Sequence, residues 1–190
     1  MVIRTSGEES PFCIPGIFLD RSLALFYTLS YQKQVSNFFG RPNTFSPKSI
    51  LVPTDFSEYS DKALQNAIDI AKQFTGKIYL LHVVGTVIQY MAYYEIDPQT
   101  VNLVEKESVN AAKKMLTEQL AKFPDSKSIE IMTDIRVGAP YEEILRDQKE
   151  KKIDLIVIAS HGKTGILSHL IGSVAERVVR SAKCPVLLVR

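Results

Sequence analysis

The chain has 190 residues, 45% of them hydrophobic, which is enough to bury one core of ordinary size. Its net charge is only +2 and its Lys and Arg residues are dispersed, which argues against nucleic acid as a partner; no apolar run approaches the ~20 residues of a membrane span. Cys13 and Cys184 show neither metal-ligand spacing nor a disulfide framework, so a reducing, cytoplasmic compartment is expected.

Residues 1–46 read as an N-terminal extension. Pro11, Pro15 and Pro42, interspersed with Gly7, Gly16 and Gly40, leave room for little beyond a short helix over the apolar stretch Leu23–Tyr31. Glu8, Glu9, Asp20 and Arg21 spoil the basic start and apolar centre of a secretory signal. Two readings stand: a flexible arm, or a stretch upstream of the natural start, against a segment that docks Phe18, Phe26, Tyr27, Phe38 and Phe39 on the domain or on a partner. The ordered domain is expected over residues 47–190.

From Lys48 the pattern is regular. Ser49–Val52 is a short apolar strand ended by Pro53-Thr54-Asp55-Phe56-Ser57, and a helix then runs to Phe74 with Ala63, Leu64, Ala67, Ile68 and Ala71 as its buried stripe. Gly76 is expected to stop it. Lys77–Val84 is a second buried strand, followed by a loose stretch with Tyr90, Tyr93 and Tyr94 and a long helix over Pro98–Phe123. Ile129–Val137 makes the third strand, and Gly138-Ala139-Pro140 opens a helix to Lys151. Ile153–Ile158 is the fourth strand, Gly172–Ser181 the last helix, and Pro185–Val189 the closing strand. Five strands alternating with four helices predict an α/β fold: an open, parallel, doubly wound, Rossmann-like sheet with helices on both faces.

Ligands of such sheets sit beyond the carboxyl ends of the strands, where the strand order reverses. If the first and fourth strands flank that reversal, Pro53–Ser57 faces Ala159–Gly162. Strand, glycine-containing loop and helix start follow one another over residues 153–179, with Gly162 and Gly165 in the loop and Gly172-Ser173 at the helix. Backbone N–H groups and roughly +0.5 of a charge at the helix end suit a phosphate there. The duller reading is that the glycines only permit tight turns.

Other signals are weaker. Gly162-Lys163-Thr164 resembles the end of a Walker A motif, but Val157 stands where that motif needs its first glycine, and no GxGxxG follows the first strand. Asp55 has two readings: a helix N-cap paired with Glu58, or an acceptor for an adenine amino group or ribose hydroxyl. His82 reads as a core histidine, whereas His161 stands at a strand end beside the expected phosphates. Cys184 reads as a small core residue. No catalytic triad and no metal cluster can be read from position.

Four blocks, VPTDFSEYSDKAL, LLHVV, VGAPYEEIL and IASHGKTGILSHLIGSVAERVVRSAKCPVLLVR, together resemble the universal stress protein family over residues 48–190. Its nucleotide-binding branch carries Gly-x2-Gly-x9-Gly-Ser/Thr; here the frame is Ala159-x2-Gly162-x9-Gly172-Ser173, with alanine in the first place. The resemblance implies strand order 3-2-1-4-5 and an ATP site, with Mg²⁺ or Mn²⁺ accompanying the nucleotide. Asp55 would face adenine or ribose with Pro53 and Thr54 beside it, Val83 would offer its backbone to adenine, and Ala159 would lie near the ribose. Gly162, Gly172, Ser173 and Val174 would hold the phosphates, beside which His161 stands by its position. It also implies a homodimer through Pro185–Val189, an apolar edge of the kind that invites pairing. Two function classes follow: a nucleotide-binding stress-response module with at most slow hydrolysis, or a nucleotide-independent dimeric interaction protein.

Overall fold

The computed structural model describes residues 2–3 (backbone only), 45–85, 97–163 and 171–190. The sequence readings on Leu23–Tyr31, on the tyrosines 90, 93 and 94, on Thr164 and on Gly165 lie outside them. By contacts, residues 1–5 and 47–190 form one unit and residues 6–46 another; the first unit carries the fold below.

In chain order the strands are β1 (Val2–Ile3), β2 (Ser49–Thr54), β3 (Lys77–Val84), β4 (Ile131–Val137), β5 (Leu155–Ala159) and β6 (Val186–Val189). The helices are α1 (Glu58–Phe74), α2 (Pro98–Ala121), α3 (Pro140–Glu150) and α4 (Ser173–Ser181), with a 3-10 turn at Pro124–Ser128. The sheet is parallel throughout in the order β1-β6-β5-β2-β3-β4. Its five long strands thus have the expected order 3-2-1-4-5, with two extra residues on the far edge.

Every central strand is buried on both faces, and the period of two sorts its side chains. Ile50, Val52, Ile78, Leu80, Leu155, Val157 and Ala159 meet Ala63, Leu64, Ala67, Ile68 and Ala71 of α1 and Leu116 of α2. Leu51, Leu81, Ile156, Ile158 and Val186 face the opposite way, onto Ile144 of α3 and Ala175 and Val178 of α4. These continuous apolar strands are what a sheet covered on both sides requires.

Several boundaries differ from expectation. Pro53 lies inside β2 and not after it. β2 pairs with β5 only at Ile50 and Leu51 but follows β3 to Thr54, so the proline, which has no N–H to give, sits where β2 and β5 have parted. α1 ends on Thr75, left-handed at φ 54, and not on Gly76. Gly76 answers to close approach instead: a Cβ there would stand 2.8 Å from the Pro47 carbonyl oxygen. Asp55 is not the N-cap of α1; that place belongs to Ser57, whose hydroxyl accepts from Ser60 N–H. The backbone at Phe56 (φ 64) turns the chain first and delays the helix. The edge of β6 is not bare either, because Val2 and Ile3 pair in parallel with Val186 and Leu187.

Candidate functional site

The parting of β2 from β5 opens a crevice at the carboxyl ends of the strands, where the sheet order reverses. A cavity of about 340 Å³ lies in it. This is within the size range of small-molecule sites. All ten residues singled out from the sequence line it: Pro53, Thr54, Asp55, Val83, Ala159, His161, Gly162, Gly172, Ser173 and Val174.

The β5 wall is organised by Ser160, which is 5% exposed. Its N–H donates to the Val189 carbonyl (2.6 Å), and its own carbonyl accepts from Gly172 N–H (2.8 Å). Its hydroxyl lies 2.8 Å from Nδ1 of His161. One residue therefore ties the end of β5 to the end of β6 and to the start of α4. His161 Nε2 is buried and has no hydrogen-bond partner among the described residues, and the His161 ring stands 5.7 Å from the Tyr59 ring.

At the start of α4, Gly172 is the N-cap and supplies no side chain to the open N–H groups. The N–H groups of Ser173, Val174 and Ala175 have no acceptor within the helix, and the helix end carries positive potential. Neither backbone strain nor crowding requires glycine at 172. Its φ of −61 and ψ of 147 suit any residue, and a Cβ there would lie 3.4 Å from the Ser160 carbonyl oxygen, an ordinary contact. A bare backbone at this point keeps the approach to those N–H groups open.

Asp55 closes the other wall. Oδ1 accepts from the N–H (3.1 Å) and hydroxyl (2.6 Å) of Ser57, and Oδ2 accepts from Lys163 N–H at 2.8 Å. Burial pushes its carboxyl up, but the Ser57 donors and the Lys163 amide outweigh burial and hold it below the ordinary carboxylate value. Thr54 shapes this wall without offering a free donor. Its hydroxyl is 3.0 Å from both Ser60 Oγ and Gln119 Oε1 and accepts from Phe56 N–H, and its carbonyl meets His82 Nδ1 at 2.8 Å.

The Val83 backbone turns away from β4. The Val84 carbonyl accepts from Gly138 N–H on the β4 side, so alternation turns the Val83 carbonyl toward β2. β2 has already turned away there, and Phe56 N–H is spent on Thr54. Ala159 is 8% exposed and belongs to the core under α1, so the methyl group replacing the first motif glycine is absorbed by packing.

Sequence reasoning missed several contributors. His82, which the sequence places in the core, lines the cavity, its ring 4.3 Å from that of Phe56. Ser160, Pro140 and Ile144 line it too. For His82, Ser160 and Pro140 the available signal was topological, each standing near or just beyond the carboxyl end of a strand, whereas Ile144 lies further on, inside α3. Cys184, expected in the core, is half-buried against its edge, and burial pushes its thiol up to about 11. Among the described residues no cluster of His, Cys, Asp and Glu could hold a metal, and no helix is long and apolar enough to cross a membrane.

The family model described as the universal stress protein family matches residues 47–190. The chain belongs to that family. Universal stress protein MJ0531 of Methanocaldococcus jannaschii is 34% identical over 170 residues, covering 87% of this chain and 95% of that one. Among solved structures, universal stress protein UspA from Lactobacillus plantarum has the same fold, with a TM-score of 0.66 at 24% identity over 78% of this chain and 100% of that one. A universal stress protein crystallised in complex with cAMP also shares the fold, with a TM-score of 0.56 at 24% identity, covering 76% of this chain and 98% of that one.

Proposed function

We propose that this universal stress protein binds an adenine nucleotide, ATP, in the crevice between β2 and β5 and acts as a nucleotide-dependent regulator. The observation that carries the reading is the start of α4: Ser173, Val174 and Ala175 line the cavity, and Gly172 brings no side-chain cap to their open N–H groups. Phosphates would lie against Ser173 and Val174 with the Ser173 hydroxyl beside them, adenine against Val83, and the sugar near Asp55 and Ala159. The cAMP complex of a protein of this fold is consistent with such a ligand. Mg²⁺ or Mn²⁺ would arrive on the phosphates, since the nearby carboxylate of Asp55 is already engaged by three donors.

Hydrolysis is expected to be slow. Fast phosphoryl transfer needs charge neutralisation and a group that orients the nucleophile. Lys163 directs its ammonium over the Phe56 ring, 5.6 Å from the centroid, and His161 Nδ1 is held by Ser160. Calorimetry of the full chain with ATP and Mg²⁺ tests the reading: saturable heat at millimolar nucleotide supports it, and a folded sample giving neither heat nor a thermal shift overturns it. Phosphate release near the ~10 per second of a typical enzyme would overturn the regulator.

A copy-to-copy contact through β6 belongs to the same reading, the strand being apolar and at the edge of the five-stranded core. Such pairing would have to share or displace the two residues of β1 that lie on Val186 and Leu187.

A further inference from the structure

Asp55 and the Gly162–Lys163 backbone are 108 residues apart in sequence, yet they are in direct contact across the crevice. Oδ2 accepts Lys163 N–H at 2.8 Å, and a Cβ built on Gly162 would lie 2.7 Å from the same oxygen. Real Cβ atoms do not approach that closely, so an alanine at 162 would have to push the carboxylate aside. The carboxylate has little freedom to yield, because its other oxygen accepts both the N–H and the hydroxyl of Ser57, the N-cap of α1. Releasing Oδ2 would also break the bond to Lys163 N–H, which lies at the exposed end of the contact.

We propose that Asp55 is a latch that holds the loop after β5 against the end of β2, and that residue 162 is glycine because of this carboxylate. The two glycines of the loop then have different reasons. Gly172 leaves space for a ligand, while Gly162 leaves space for Asp55. Asp55 is a positioning residue here: it fixes the wall of the cavity through which phosphates approach α4. That consequence rests on the nucleotide reading, whereas the latch itself does not.

The test is a double-mutant cycle on the full chain without nucleotide, using Asp55→Ala, Gly162→Ala and both together, read by urea unfolding. Contacting pairs couple by roughly 2- to 150-fold in the unfolding equilibrium, and independent sites add within about twofold. The expected result is coupling: Gly162→Ala is damaging when Asp55 is present and much milder in the Asp55→Ala background. Additive effects would overturn the latch. Should Asp55→Ala fail to fold, Asp55→Ser takes its place, being shorter than the carboxylate by the reach that matters. Calorimetry of Asp55→Asn with ATP and with adenosine then separates the roles. Asn keeps one acceptor oxygen where the carboxylate has two, so it cannot hold both Ser57 N–H and Lys163 N–H, and ATP affinity is expected to fall several-fold further than adenosine affinity. Equal losses would overturn the positioning role and leave a direct contact with the nucleoside. A wild type that binds neither ligand sinks the nucleotide reading, while the unfolding cycle still decides the latch.

Discussion

Gly172→Ala isolates the ligand's requirement from that of the fold. The new Cβ meets the Ser160 carbonyl oxygen at 3.4 Å and His161 Cα at 4.0 Å, and φ of −61 with ψ of 147 already suits an alanine. The stability cost therefore comes only from the cap, where alanine is worse than glycine by about 1 kcal/mol. For a chain of this size that lowers the melting temperature by about 2–4 °C. The ligand side is larger. A phosphate oxygen pushed off one backbone N–H loses a charge-assisted hydrogen bond of about 1.5–3 kcal/mol, which is roughly a 10- to 150-fold rise in Kd. Circular dichroism melting and calorimetry with ATP and Mg²⁺ read the two quantities separately, and adenosine serves as the phosphate-free control. Wild-type ATP affinity in the folded variant would refute the phosphate placement. A melting temperature lowered by well over ten degrees would refute the argument that neither strain nor crowding requires this glycine.

Two further outcomes are expected. Wild-type protein is expected to form a dimer by light scattering at micromolar concentration, and Leu188→Lys in β6 to weaken it; a monomeric wild type would remove β6 as a pairing edge. Burial holds His82 below its ordinary value near 6.5, with the Lys163 charge adding to the effect and the Thr54 carbonyl opposing it. A depressed folded value means that the contribution to stability is complete above about pH 6.5 and is lost as pH falls through the folded value. Melting temperature should therefore drop on acidification from about pH 7 to pH 5, and drop less in His82→Gln; equal slopes in the two proteins would exclude His82 as the group responsible.

The order of elements, the two-faced burial of the strands and the position of the crevice were legible in the sequence because each is a local or periodic property. A run such as Leu155–Ala159 can be satisfied only between two layers, and a βα alternation has few ways to close. The Ala159-x2-Gly162-x9-Gly172-Ser173 frame located one wall of the cavity for the same reason: spacing along the chain becomes geometry within one strand, loop and helix. Partners across the sheet were not legible. The sequence offers Asp55 as a helix cap or a ligand acceptor; the fold gives the cap to Ser57 and adds a bond from Lys163, on the far side of the switch point. That the Ala159 methyl joins the core depends on α1 packing over β5. His82 became part of the cavity only because β2 parts from β5 beside it. The edge of β6 gained Val2 and Ile3 from the opposite end of the chain. Period and propensity describe neighbours along the sequence; these residues owe their roles to neighbours that only the closed sheet brings within hydrogen-bonding distance.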